Sequence, residues 1–264
     1  MTPMLSIALR AARKAGDKIA RALDNLANIE VRSKGVNNFF TEIDLTAESE
    51  IISVLQKFYP EHAILSEEVG LLGPSNAEYR WIIDPLDGTT NFIRGIPHFS
   101  VSIACMYKGR LEHGVVLDPI RNEEFTASRG CGAQLNGKRI RVSKLKSLEG
   151  ALLGTGIPFK NHCDEKLSDY CITVDTLARQ CAGIRRAGAA SLDLAYVASG
   201  RLDGFWEIGL STWDVAAGIL LLTEAGGLIS DVNGSQDYLN SGNIVCGNPK
   251  CFKEMLKIVG PLLK

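Results

Sequence analysis

Trp81-Ile82-Ile83-Asp84-Pro85-Leu86-Asp87-Gly88-Thr89-Thr90-Asn91-Phe92 is the stretch on which the reading turns. An apolar run suited to a buried strand stops at Asp84, Pro85 restricts the backbone to a turn, and Asp87 follows on the same short loop. Two carboxylates and the Leu86 carbonyl can therefore converge. Gly88 adds conformational freedom, while Thr89 and Thr90 add hydroxyls and main-chain N–H groups suited to an anion, with Thr89 placed to hold a water. The plainer reading is a pair of Asx-type turns, Asp-Pro and Asp-Gly, whose carboxylates only cap the loop.

Working outward, Ala63 to Ser66 forms a short strand-like run that ends in Glu67 and Glu68. Strand alternation sends these two to opposite sides, so one ligand is expected there. In the second half, Ser211-Thr212-Trp213-Asp214-Val215-Ala216-Ala217-Gly218 begins an apolar helix with Asp214 in its first turn, where it either complements the helix dipole or faces a site built by the first half. Carboxylates crowded within ~5 Å repel strongly unless cations lie among them. An all-oxygen set suits Mg2+, and two such ions ~3.5 to 4 Å apart activate a water on one side and stabilise a leaving oxygen on the other. No cysteine or histidine lies in these acidic loops, which argues against a covalent phosphocysteine or phosphohistidine route.

The remainder of the chain frames this site. Its 264 residues, 45% hydrophobic, are enough for one large α/β domain or two small ones, and a net charge of -1 favours neither nucleic acid nor a membrane. The seven cysteines are scattered and never spaced as CxxC, so they read as reduced thiols. No apolar stretch is long enough for a membrane span. The basic, amphipathic N-terminus reads as an ordinary first helix of a cytoplasmic protein, capped by Thr2 with Pro3 in the first turn.

A strand is expected at Ile29–Lys34 and a helix at Thr41–Phe58. Strands follow at Tyr79–Ile83, Phe99–Met106, Leu111–Leu117, Glu123–Ser128 and Arg139–Ser143, the pattern of an antiparallel meander. From about residue 146 strands and helices alternate, ending in a helix at Pro249–Val259, which implies a mixed, largely parallel sheet. The expected organisation is thus an α+β half over 1–145, carrying most metal ligands, and an α/β half over 146–264 that contributes Asp214 and substrate contacts. One continuous mixed sheet is the alternative layout.

Taken together, Asp84-Pro85-Leu86-Asp87-Gly88-Thr89-Thr90-Asn91-Phe92, Trp213-Asp214-Val215-Ala216-Ala217-Gly218 and the preceding Glu67-Glu68 resemble the inositol monophosphatase family, in detail the bacterial SuhB-type inositol-1-monophosphatases. The resemblance runs from the first helix nearly to the C-terminus. It implies an alternating α/β/α/β/α sandwich, the sugar phosphatase fold, usually assembled as a homodimer. It further implies Mg2+-dependent, lithium-sensitive hydrolysis of myo-inositol 1-phosphate. Glu67, Asp84 and the Leu86 carbonyl match ligands of one metal, Asp84, Asp87 and Asp214 those of another, and a weaker third ion falls near Glu67. Asp44 and Thr89 match the network that orients the attacking water, although Asp44 by itself reads as a capping-box partner of Thr41. Lys34 matches a basic residue nearby, Gly88 and Thr89 the phosphate loop, Gly188, Ala189 and Ala190 the backbone close to the ring, and Glu207 the acceptor of inositol hydroxyls. Relatives with the same carboxylates act on fructose bisphosphate or nucleotide 3'-phosphates, so a broader sugar or nucleotide phosphatase is the runner-up. The resemblance also implies a role in ribosomal transcription antitermination, with NusA and RNA polymerase as partners. Arg179, Arg185, Arg186 and Arg201 would offer a basic surface for that role, their plainer reading being solvated charge.

Overall fold

The computed structural model describes residues 1–35, 38–157 and 163–263. Helix α1 (Pro3–Ala22) opens as its sequence requires: the Thr2 hydroxyl accepts the Leu5 N–H at 3.2 Å, and Pro3 sits in the first turn, where no N–H is needed. A 3-10 segment, Leu23–Asn28, leads to the antiparallel pair β1 (Val31–Gly35) and β2 (Asn38–Thr41), then to α2 (Glu42–Phe58). The first large sheet follows, with β3 (Ala63–Ser66), β4 (Gly70–Leu72), β5 (Tyr79–Asp87), β6 (Ser100–Tyr107), β7 (Arg110–Asp118), β8 (Glu123–Ser128), β9 (Gly132–Leu135) and β10 (Lys138–Arg139). The short α3 (Thr89–Ile93) lies between β5 and β6. Its spatial order is β10-β9-β8-β7-β6-β5-β3-β4, and only β3 with β5 is parallel.

The second part alternates strands and helices: β11 (Leu152–Thr155), α4 (Cys163–Ala178), β12 (Gly183–Arg185), α5 (Ala190–Ala198), β13 (Gly204–Glu207), α6 (Thr212–Glu224), β14 (Leu228–Ser230), α7 (Tyr238–Ser241), β15 (Ile244–Gly247) and α8 (Pro249–Leu263). These strands form a separate sheet in the order β12-β11-β13-β15-β14.

Strand alternation converts these elements into layers. Along β5, Trp81 and Ile83 join a core with Leu5, Ile19, Ile51 and Leu55 of α1 and α2, while Ile82 between them joins Leu194 and Leu220 of α5 and α6. Along β13, Phe205 enters that same α5–α6 core, whereas Trp206 packs with Leu177 of α4 and Met255 of α8. The order is therefore α1/α2, sheet, α5/α6, sheet, α4/α8, the five-layer sandwich expected. Among the described residues no helix is long and apolar enough to cross a membrane. The six cysteines whose side chains are described are free thiols, and Cys105, Cys246 and Cys251 are buried.

Several elements depart from their expected bounds. Strand β5 does not stop at Asp84. Asp84 pairs with Ser102 and Asp87 with Ser100, so one extra residue bulges out around Pro85, a position that tolerates the missing N–H. The strand expected over Arg139–Ser143 is only the pair Lys138–Arg139; beyond it the Val142 N–H donates to the Ala225 carbonyl at the end of α6, at 3.2 Å. The second sheet is mixed, as expected: β12 and β13 run parallel to β11, and β15 runs antiparallel to its neighbours β13 and β14. Helix α8 continues past Val259 to Leu263 with Pro261 in its last turn, where the bond its missing N–H would make is lost.

The middle layer is held by close backbone approach. A Cβ on Gly218 of α6 would lie 2.5 Å from the Leu194 Cβ of α5, and one on Gly114 of β7 would lie 3.0 Å from the Ala217 carbonyl oxygen. Leu194 Cβ is fixed to its helix backbone and cannot swing away. Gly218→Ala should therefore push α5 from α6 and lower stability by about 1–3 kcal/mol, the usual cost of overpacking. Thermal melting checks this, and a change below about 0.5 kcal/mol would contradict the tight clasp.

Candidate active site

The parallel pair β3 and β5 places Ser66 opposite Ile83, so the residues just beyond, Glu67 and Asp84, stand side by side. The Glu67 N–H donates to the Ile83 carbonyl at 3.2 Å. Asp84 is buried, and its Oδ1 accepts the Leu86 N–H at 3.1 Å, which folds the bulge around Pro85. Gly88, with φ of 95°, then turns the chain into α3; a Cβ there would meet the His98 carbonyl oxygen at 3.0 Å.

Thr89, the first residue of α3, joins this loop to α2. Its hydroxyl lies 3.0 Å from the Leu86 carbonyl oxygen and 3.1 Å from Asp44 Oδ1. Asp44 Oδ2 in turn accepts the Thr41 N–H and hydroxyl, each at 2.7 Å. The capping box and the link to Thr89 are thus both present in one carboxylate. Burial pushes the Asp44 pKa up, while the bonds from Thr41 and Thr89 hold it down.

The second half meets this loop through Ser191 and Asn91. Asp87 Oδ2 accepts the Ser191 N–H at 2.8 Å and its hydroxyl at 2.6 Å, and the Ser191 hydroxyl is 2.7 Å from that of Ser100. With its proton on Asp87, Ser191 accepts from Ser100. Ser191 is therefore not the cap of α5, as its sequence position suggests, but a donor to Asp87 from inside the first turn. Asn91 Nδ2 donates to the His98 carbonyl at 2.8 Å and to the Ala187 carbonyl at 2.9 Å, using both of its hydrogens to tie the turn before α5 to α3. Asp214 enters at the start of α6, where its Oδ2 accepts the Ser211 N–H at 2.7 Å in a second capping box.

Asp87, Asp214, Glu207, Gly188, Ala189 and Ala190 line one pocket of about 180 Å³, together with Gly156 and Arg186. Glu67, Asp84, Leu86, Gly88, Thr89 and Asp44 are not in its wall but adjoin it through the β5 loop. Lys34 lies on β1, and its side chain is outside the described residues.

The electrostatics reflect this gathering. Burial, and then the charges of Glu67, Asp87 and Asp214, push Asp84 well above the carboxylate range. Burial and Asp214 raise Asp87 to about 7 against the bonds from Ser191. Burial, Asp193, Asp214 and Asp87 raise Glu207, and Arg186 opposes them. Among the described residues no three His, Cys, Asp or Glu side chains stand as a ready-made metal cluster. Asp84, Asp87 and Asp214 each turn one oxygen to a main-chain donor instead.

Sequence reasoning assigned no site role to Ser191, Asn91, Glu48 or Asp193. Glu48 is buried under the Glu67 turn, where it accepts the Ser66 hydroxyl and the Glu68 N–H, the latter at 3.0 Å. Asp193 is buried on α5 with Oδ1 unpartnered. Only Asn91 carried a signal, as part of the acidic-loop motif.

The model of the inositol monophosphatase family matches residues 1–259. The chain belongs to that family. It is 61% identical over its whole length to the protein named Nus factor SuhB of Pseudomonas aeruginosa, of which it covers 98%. It is 54% identical to the Escherichia coli K12 protein of the same name, over 97% of this chain and 95% of that one. Among solved structures, the extragenic suppressor protein suhB of Bartonella henselae superposes with a TM-score of 0.94 at 40% identity, covering 98% of each chain. An inositol monophosphatase from Anabaena gives 0.85 at 34% identity, over 98% of this chain and 96% of that one. This family membership and structural likeness support an enzyme of the phosphatase class.

The raised carboxylates make a pH prediction. A group whose folded pKa is raised contributes stability that is present below its unfolded value, for Asp87 near 3.8, and is lost as pH rises through its folded value of about 7. With divalent cations chelated, the protein should melt at a higher temperature near pH 5 than near pH 8, and Asp87→Asn should flatten that slope. A melting temperature that rises over this range and is unaffected by Asp87→Asn would contradict the crowding.

Proposed function

We propose that the protein is a Mg2+-dependent phosphomonoesterase that hydrolyses myo-inositol 1-phosphate to inositol and phosphate. The observation that carries this reading is a single pocket in which Asp87 from the first half meets Asp214 and Glu207 from the second. The donors around it are carboxylate and carbonyl oxygens, and burial and mutual repulsion oppose their charge, a set that fits a small hard dication.

Glu67, Asp84 and the Leu86 carbonyl would hold one ion, Asp84, Asp87 and Asp214 a second, and a weaker third would fall near Glu67. Bound there, the ions supply Lewis-acid polarisation of the phosphate ester and offset charge on the leaving oxygen. The chain's own groups do the positioning. Thr89, giving its proton to Asp44, keeps oxygen lone pairs with which to orient a water; Lys34 is assigned to this region by the family resemblance alone. Main-chain N–H groups of Gly88 and Thr89, at the start of α3, face the phosphate. Gly188, Ala189 and Ala190 let the polyol ring approach the backbone, and Glu207 accepts its hydroxyls. A broader sugar or nucleotide phosphatase shares the carboxylates and is the runner-up. A homodimer and lithium inhibition belong to the same reading.

A second role, in ribosomal transcription antitermination with NusA and RNA polymerase, is favoured by the 61% identity to a protein named Nus factor SuhB. The basic surface imagined for it is reduced: Arg179 is paired with Asp175 at 2.8 Å and Arg201 with Glu123 at 2.5 Å, while Arg186 lines the pocket. All four arginines are nonetheless exposed.

Phosphate release from inositol 1-phosphate, a sugar monophosphate and an adenosine bisphosphate tests the enzymatic reading. Turnover should require Mg2+, persist in part with Mn2+, fall with EDTA and lithium, and be fastest on inositol 1-phosphate. Full turnover after exhaustive chelation would overturn the metal assignment, and preference for the adenosine bisphosphate would overturn the substrate.

A further inference from the structure

Two glycines two residues apart, Gly154 and Gly156, fall on one face of β11 and the residues that continue it. At Gly154 an added Cβ would come 3.4 Å from Asp193 Oδ1, 3.2 Å from the Phe205 ring and 3.0 Å from Leu202 Cδ1, so its neighbours would have to give by a few tenths of an ångström. Gly156 is different in kind. A Cβ there would fall 2.0 Å from the Glu207 Cδ and Oε1 and 2.1 Å from its Oε2, so the Glu207 carboxylate occupies the space a side chain would take. The parallel register explains the meeting: Thr155 of β11 lies opposite Trp206 of β13, and one step on brings Gly156 beside Glu207. Gly156 is not among the glycines with positive φ. Its backbone suits any L-residue, which leaves space as the reason for glycine. Both residues line the pocket that contains Asp87 and Asp214.

We propose that Gly156 is a positioning residue that sets specificity: its missing side chain seats the Glu207 carboxylate in the pocket wall, where that carboxylate accepts hydroxyls of a cyclic polyol phosphate. This rests on the assignment of Glu207 as the polyol acceptor. A methyl group at position 156 would meet the tip of a rotatable side chain, not fixed backbone, so the carboxylate yields before the fold does. The loss should fall on substrates with ring hydroxyls, because only they need that acceptor in that place.

The test compares Gly156→Ala, Glu207→Ala and the double variant on inositol 1-phosphate and on a phosphomonoester without ring hydroxyls, alongside a crystal structure of Gly156→Ala. The ratio of kcat/KM for the first substrate over the second should fall about tenfold in Gly156→Ala, and adding Gly156→Ala to Glu207→Ala should change it by less than about twofold. The Glu207 carboxylate should be displaced from above position 156. An unchanged ratio, an equal Gly156→Ala effect with and without Glu207, or an unmoved carboxylate would overturn the proposal. If Gly156→Ala does not fold, folding of the double variant supports the clash, and failure of both overturns it. Absence of inositol 1-phosphate turnover in the parent would instead overturn the substrate reading, and the carboxylate's position would still decide the role of Gly156.

Discussion

Like charges withdrawn from water repel one another, and the placement of Asp84, Asp87, Asp214 and Glu67 against that repulsion is the constraint on which the site depends. Each is held by an element that the packing fixes. Asp84 and Glu67 sit at the ends of adjacent parallel strands, Asp87 at the end of the β5 bulge, and Asp214 in the first turn of α6. Helix α6 is clamped between two sheets and against α5, so its N-terminus cannot retreat from the acidic loop without opening the middle layer. The Ser191 hydroxyl and N–H, both on Asp87, bind the two halves at the same point.

Local capping does not take a side chain away from the acidic loop. Asp44 and Asp214 each complete a capping box, with Thr41 and Ser211 respectively, and each also faces the carboxylate cluster or its loop. The cap fixes the carboxylate orientation through a main-chain donor, which is what a preorganised site requires of its acidic groups. The cap seen at each of these residues therefore does not argue against the proposed site role.

Much of the fold was legible because its signals are local. The Thr2–Pro3 start of α1, the Thr41 cap of α2 and the change from meander to alternation near residue 146 rest on periodicity and turn chemistry within short windows. The five layers came from the family resemblance, and alternation at Trp81, Ile82 and Ile83 shows how the sequence builds them. What escaped was non-local. The bulge at Pro85 depends on pairing with β6, and the loss of a strand beyond Arg139 depends on the end of α6 offering its carbonyl to Val142. Ser191 reads as a turn residue until Asp87, far away in the sequence, is placed beside it. Gly156 carries no sequence signal, since its φ is ordinary and its reason is the Glu207 side chain on a neighbouring strand.

The central claim is that the two halves build one cation-binding site, and Asp214 is the assigned metal ligand that the second half supplies. Asp214→Asn keeps the shape and, through its amide oxygen, the bond from the Ser211 N–H, while removing one negative charge. The decisive measurement is Mg2+-saturated turnover of this variant beside the melting temperature of its metal-free form. A site role predicts turnover reduced by about 100-fold or more, roughly 2.7 kcal/mol, with melting unchanged or raised as repulsion from Asp84 and Asp87 is relieved. Turnover within about twofold of the parent, with stability lowered by about 1 kcal/mol, would mean that Asp214 serves only the start of its helix.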